Sequence, residues 1–249
     1  MEKKISLNYR FIRAITKAIY PHIDVEGIEN LPKGPAIVVG NHSQMHGPVA
    51  CQLYFPGKKY IWCISEMMHL SKVPSYAYKD FWSNKPKGVR FFFKILSYII
   101  APISVSVFNN ADTIPVYKDK RVAITFKESV KRLKEGDSVI IFPECYDEHN
   151  NIVHEFQQGF VDVAKRYYKE TSEEIPFVPL YVCPKLKKLI IGKPVYFNNE
   201  NDIHEERIRI CDYLMEEISE MAYMKPRHKV VPYPNIKKKD YPYNTRLVI

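Results

Sequence analysis

The feature that most restricts the fold is a set of short apolar runs that do not alternate with polar residues, several of which stop abruptly at a polar cluster. Ala36-Ile37-Val38-Val39-Gly40 runs into Asn41-His42-Ser43, and Ser138-Val139-Ile140-Ile141-Phe142 runs into Pro143-Glu144. A continuous β-branched run of this length, bounded by turn residues, predicts a strand buried on both faces and followed by a loop. Further strands are expected at Lys59–Ser65, Thr113–Val116, Ile175–Val182 and Leu189–Ile191. Between them, Arg121–Glu135 repeats Val122, Phe126, Val130 and Leu133 at helical spacing before Gly136-Asp137 ends it. Phe160–Tyr168 and the charged stretch Asp202–Met224 predict two more helices. Strands alternating with helices predict an α/β layered domain with a mostly buried mixed sheet flanked by helices.

Composition narrows the class. The 249 residues are 46% hydrophobic and 26% charged, enough for one core, while only 9 glycines argue against a Gly-rich dinucleotide-binding architecture. Five scattered cysteines without a C-x-x-C pair do not form a disulfide framework, and no signal peptide is visible, so a cytoplasmic protein is expected. Neither Pro35–Gly57 nor Ile95–Ala111 is read as reaching the length and purity of a spanning helix. Residues 1–22 read as a basic amphipathic N-terminal helix, with Ile5, Ile12, Ile15 and Ile19 among Arg10, Arg13 and Lys17. Residues 23–225 read as a single domain. Residues 226–249, with four prolines and Lys237-Lys238-Lys239, read as an irregular tail wrapping over the surface. The net charge of +9 favours anionic partners. Dispersed lysines and no recognisable module argue against nucleic acid and leave a membrane surface as the expected partner.

The chemistry-bearing residues sit at strand ends, where α/β folds gather their sites. His42 follows a buried strand into a turn expected to open a helix, and a neutral imidazole there can take a proton from a hydroxyl as it attacks a carbonyl. Cys145, with His149 or His154, offers a rival nucleophile for a cysteine-dependent hydrolase, although its acidic neighbours Asp147 and Glu148 would blunt a thiolate. His42 and His46 have the spacing of a zinc-protease helix, but Ser43 stands where its glutamate belongs; no metal is expected.

In order along the chain, Asn41-His42-Ser43-Gln44-Met45-His46-Gly47, Thr113-Ile114-Pro115-Val116-Tyr117-Lys118, Phe142-Pro143-Glu144-Cys145-Tyr146-Asp147 and Val178-Pro179-Leu180 resemble the four blocks of the glycerolphosphate/lysophosphatidate acyltransferase superfamily: N-H-x4-D, G-x-I-P-V-x-R, F-P-E-G-T-R and V-P-V. Glu155-Phe156-Gln157-Gln158-Gly159 and Ile191-Gly192-Lys193-Pro194 are similar to two later family segments, and the resemblance spans roughly residues 23–222.

The resemblance implies an acyltransferase-like fold and transfer of a fatty acyl group, from acyl-CoA or acyl-carrier protein as co-substrate and without a prosthetic group, to a hydroxyl of a lysophospholipid or related lipid or polyol. In its most specific form this is a 1-acylglycerol-3-phosphate O-acyltransferase-like activity. It makes His42 the general base and puts Glu144 at the acceptor site. It also implies substrate-binding roles for Asn41, Ser43, Pro143 and Cys145, with Lys118 in place of the arginine that meets an anionic headgroup.

Two departures stand out. Gly47 replaces the aspartate that orients the histidine, and Asp147 replaces a basic residue. His46, Glu66, Glu144 and Asp147 are the candidates to orient His42 instead; a catalytically degenerate domain that binds lipid or acyl thioester is the alternative. Arg90, Phe91, Phe92, Phe93 and Lys94 combine aromatic bulk with cations suited to a headgroup layer, which implies a peripheral protein on the inner face of the membrane, or else a core helix.

Overall fold

The computed structural model describes residues 6–82 and 85–246. In chain order the first half comprises α1 (Leu7–Ile19), β1 (Asp24–Glu26), β2 (Ile37–Gly40), α2 (His46–Tyr54), β3 (Lys59–Ile64), α3 (Val73–Ala77), α4 (Arg90–Asn110), β4 (Thr113–Val116) and α5 (Val122–Lys134). The second half comprises β5 (Ser138–Ile141), β6 (Glu144–Glu148), β7 (His154–Phe156), α6 (Asp162–Thr171), β8 (Pro176–Cys183), β9 (Lys188–Ile191), β10 (Val195–Tyr196) and α7 (Ile203–Tyr223). The fold is α/β, with a mixed sheet and flanking helices. Its contacts divide the chain into two compact units: one holds the residues up to Pro21 with Trp62–Thr125, the other His22–Ile61 with Phe126 onward.

The larger unit is built on strands in the order β1-β9-β8-β2-β5, with Lys59–Ile61 of β3 beyond β5. β2 lies parallel to both β8 and β5, with Val38 opposite Val178 on one side and Ile140 on the other. All of β2 and β8 is buried. This is why their sequences are apolar without alternation: each strand is covered on both faces, and each large aliphatic side chain withdrawn from water contributes about 1.5–3 kcal/mol. α7 packs against β8 through Ile210, Leu214, Met215 and Ile218, which recur at helical spacing and are all buried. Its first turn is capped by Asp202, whose Oδ1 accepts from the His204 N–H at 2.8 Å. Because β2 and β5 are parallel neighbours, the loops after Gly40 and after Ile141 leave the sheet at the same end.

The smaller unit packs Met67, Val73, Ala77 and Ala101 together, with Ile100, Val105, Phe108 and Trp82 around them. α4 supplies one side of this cluster and turns the rest of its surface outward: Phe91, Phe92, Tyr98 and Ile99 are exposed. α1 packs on α4, burying Tyr9 while Leu7, Phe11 and Ile19 stay exposed.

The expected strands and the later helices recur with ends shifted by at most three residues; of the N-terminal helix expected over residues 1–22, Leu7–Ile19 is helical, and residues 1–5, Ile5 among them, lie outside the described residues. The helix expected from Phe160 starts at Asp162, after a 3-10 turn over Gln158–Val161. One reading is corrected. The apolar run expected to begin at Ile95 belongs to a longer helical stretch, Lys87–Asn110, which by length and composition is long and apolar enough to cross a membrane. Phe91–Phe93 lie in the same helix as the later run, and Pro102 does not end it. The short hairpin of β6 and β7 was not expected, because Glu144–Glu148 is polar and carries no strand pattern.

Candidate active site

Asn41 and Ser43 shape the turn that follows β2. The Asn41 carboxamide closes onto the end of β8: Oδ1 accepts from Val182 N–H at 2.7 Å, and Nδ2 donates to Val182 O at 3.2 Å and to Ser43 Oγ at 2.9 Å. Ser43 Oγ donates to the same carbonyl at 3.2 Å. Both side chains are buried, and their polar atoms engage β8. Ser43 and Gln44 both adopt left-handed backbone, φ +46° and +56°, a conformation that costs non-glycine residues free energy and persists only where surrounding bonds hold it. The result is a tight reversal, with α2 starting at His46 and His42 held at the end of the sheet.

Glu144 fixes the backbone of this turn from the neighbouring strand. Its carboxyl is buried, with Oε2 accepting from the His42 N–H and Oε1 accepting from the His154 N–H at 3.0 Å. Burial pushes its pKa up to about 7, against the downward pull of the two N–H groups of His154 and His42. Glu144 therefore contacts the main chain of His42 rather than its ring.

The His42 ring lies among aromatics. It meets Phe142 edge-on at 5.4 Å between centroids and Tyr233 at 5.8 Å. Nδ1 is buried, and among the described residues no hydrogen bond of acceptable geometry reaches it. Burial lowers the ring's pKa to about 4, opposed by weaker upward pulls from the backbone of Gln44 and of His42 itself. The imidazole is thus neutral across the physiological range, which is the form a general base requires.

At position 47 the backbone leaves no space for a side chain. A Cβ there would stand 2.6 Å from the His42 carbonyl oxygen and 2.9 Å from Cε1 of Phe142, and the Gly47 N–H donates to that same His42 carbonyl at 3.0 Å. The ring of Phe142 and the main chain occupy the region into which an aspartate at 47 would project.

The other sequence-selected residues divide between the units. In the larger unit His46 is half-buried, its pKa lowered by burial and then by Lys185 and Lys238. Asp147 is exposed and accepts from the Cys145 thiol at 3.6 Å. The rings proposed to serve Cys145 are engaged elsewhere, His149 Nδ1 with Glu155 at 2.8 Å and His154 Nδ1 with the Asp147 carbonyl at 3.1 Å. Pro143 is buried, and its carbonyl accepts from Gln157 N–H at 2.9 Å.

In the smaller unit Glu66 accepts from Ser65 Oγ at 3.1 Å. Lys118 is exposed just past β4. Next to it Asp119 accepts three hydrogen bonds from the Arg121 guanidinium at 2.9, 3.1 and 2.7 Å, and that guanidinium lies 4.6 Å from the centroid of the Tyr117 ring. An open cavity of about 280 Å³ is lined by Met68, His69, Phe108, Asn109, Thr113, Pro115 and Tyr117. Of the aromatic and cationic group after Val89, Arg90, Phe91, Phe92 and Lys94 are exposed, while Phe93 is half-buried and stacks on Trp82 at 5.6 Å. Among the described residues no group of three or more His, Cys, Asp or Glu side chains is arranged to hold a metal ion.

Sequence reasoning missed Tyr233 altogether. It lies in Pro232-Tyr233-Pro234, in a stretch without periodicity. The one signal was an aromatic residue fixed between two prolines.

Comparison with known proteins gives the geometry a family. A search of curated proteins returned no significant match. Among solved structures the chain is similar to the 1-acyl-sn-glycerophosphate acyltransferase PlsC from Thermotoga maritima, at 19% identity and a TM-score of 0.48, over 86% of this chain and 78% of that one. The profile of the family described as Acyltransferase matches residues 22–183, a span that contains β2, His42, β5, Glu144 and β8; the chain belongs to the acyltransferase family.

Proposed function

We propose that the chain transfers a fatty acyl group from an acyl thioester, acyl-CoA or acyl-carrier protein, to a hydroxyl of a lysophospholipid or related lipid or polyol at a membrane surface. The observation that carries this reading is a neutral, desolvated imidazole at the end of β2 whose main chain is pinned by the buried Glu144 carboxyl. With Nδ1 buried, Nε2 of His42 takes the proton of the acceptor hydroxyl as its oxygen attacks the thioester carbonyl. A C–O bond forms, the C–S bond breaks, and the proton passes from Nε2 to the departing thiolate. Lys118, exposed beyond β4, is the proposed cation for an anionic headgroup. The docking surface is the outward side of α1 and of α4, where Phe11, Phe91 and Phe92 stand among Arg10, Arg13, Arg90 and Lys94.

The test is thiol release from acyl-CoA and acyl-carrier-protein donors with and without lysophospholipid acceptors. His42→Ala is expected to lower acceptor-dependent release by about 10²–10⁴-fold, the usual contribution of a positioned base. In the wild type the acid limb of kcat/KM should fall near pH 4, where His42 becomes protonated. Wild-type chain that binds acyl thioester or lipid without any turnover would establish the degenerate binding domain instead.

A further inference from the structure

The segment after α7 is anchored to the larger unit rather than trailing from it. Asn244 holds its two ends together: Nδ2 donates to the carbonyls of Ala222 and Lys225 at 2.8 and 3.0 Å, and Oδ1 accepts from His228 N–H at 2.7 Å. His228 Nε2 pairs with the Tyr181 hydroxyl of β8 at 2.7 Å, and Lys225 pairs with Glu26 at 2.6 Å. Val230, Val231 and Tyr241 are buried. Lys229 and Tyr243 form an antiparallel bridge that closes the intervening stretch into a loop.

The tip of that loop reaches the turn bearing His42. Gln44 Nε2 donates to Pro234 O at 3.3 Å and to the Tyr241 hydroxyl at 3.0 Å. Tyr233 lies edge-on to the His42 ring and also meets the rings of Tyr146 at 5.3 Å and His154 at 6.0 Å. From this geometry we infer that Tyr233 is a positioning residue for His42, and that this C-terminal loop, which lies beyond the family match, supplies by aromatic packing the orientation that a carboxylate at position 47 would otherwise give. The inference rests on the acyl-transfer reading for its consequence in rate. The packing itself is independent of that reading.

Two rings, those of Phe142 and Tyr233, are set edge-on against the imidazole and limit its rotation. No charged side chain is a principal influence on the ring; burial is. Titratable groups nearby include Glu144, which bonds the His42 main chain, and, around Tyr233, Tyr146 and His154.

Tyr233→Ala and Tyr233→Phe separate the possibilities, read by acyl-transfer kinetics and by nitrogen NMR of histidine-labelled protein with the His42 signal assigned from His42→Ala. In Tyr233→Ala kcat should fall between roughly tenfold and a hundredfold, the scale of a misplaced catalytic group, with the donor KM little changed. The His42 titration should move up from about 4 toward 6.5 as water reaches the ring. Tyr233→Phe, which keeps the ring and loses only the hydroxyl, should restore both values.

Unchanged kcat and titration in Tyr233→Ala would overturn the inference, and so would a rise in kcat, which would mean the loop blocks the site. If Tyr233→Ala does not fold, Gln44→Ala frees the loop tip without emptying the ring's place, and the same directions of change are required of it. If the wild type transfers no acyl group, the function fails while the NMR arm still decides whether Tyr233 sets the His42 environment.

Discussion

The two units depart from the usual distribution of side chains in opposite ways. The larger one buries polar groups: Asn41, Ser43, Glu144 and His154 are all withdrawn from solvent. The smaller one exposes apolar groups: Phe11, Phe91 and Phe92 are 68%, 75% and 64% accessible. A buried polar residue and an exposed apolar patch are each informative because each is costly by default. Asn41, Ser43 and Glu144 recover the cost through hydrogen bonds to main chain, and the outcome is a fixed geometry. In the smaller unit these rings of α1 and α4 face solvent among the described residues, and the proposed lipid interface would cover them. The first arrangement suits positioning of a reacting group, the second suits delivery to a surface.

The sharpest way to break this contrast is to remove a buried acceptor. Glu144→Ala leaves the N–H groups of His42 and His154 without their partner. Each buried unsatisfied donor costs about 1–3 kcal/mol, so a loss of roughly 2–6 kcal/mol is expected in urea unfolding. A loss below about 1 kcal/mol would mean that water replaces the carboxyl freely and that the site is less enclosed than its burial indicates.

The exposed side of the comparison makes the opposite demand. Phe91→Ser with Phe92→Ser should leave stability within about 1 kcal/mol, since both rings already face solvent. Sedimentation with anionic vesicles should weaken by roughly a hundredfold, as two aromatic side chains no longer leave water on binding. Phe93 is the internal control. It stacks on Trp82 within the unit, so Phe93→Ser should instead lower stability. Equal vesicle binding by wild type and the double variant would end the docking proposal.

How much of this was legible beforehand follows from the range of the forces involved. β2, β5 and β8 were readable because burial on both faces writes itself as an unbroken apolar run. The positions of His42 and Glu144 at strand ends were readable because they stand immediately past such runs. The contact Asn41 makes was not: its partner Val182 is 141 residues away, and no local pattern encodes a carboxamide reaching a distant main chain. α4 was misjudged because its charges, Arg90 and Lys94, bracket the phenylalanines and hide a long helix from a test for uncharged runs. Tyr233 was invisible for the same reason as Asn41. Its meaning is a contact with His42 across the sequence, in a proline-rich stretch that has no period of its own.

The missing aspartate gives the finest test of the comparison, because sequence and structure point in different directions. From sequence alone Gly47→Asp restores a family motif, and a faster reaction would be expected as the imidazole regains an orienting partner. In the structure the same change forces a Cβ to within 2.6 Å of the His42 carbonyl oxygen and 2.9 Å of the Phe142 ring. The carbonyl belongs to a turn already held in left-handed backbone at Ser43 and Gln44 and pinned by Glu144, so it has little freedom to retreat. Overpacking of this kind costs about 1–3 kcal/mol. Gly47→Asp is therefore expected to lower stability by about 2 kcal/mol in urea unfolding and to leave kcat unchanged or reduced. If the substitution instead raises kcat without loss of stability, the turn is plastic, the carboxylate finds Nδ1, and orientation by aromatic rings is a second-best arrangement rather than the one this site is built around.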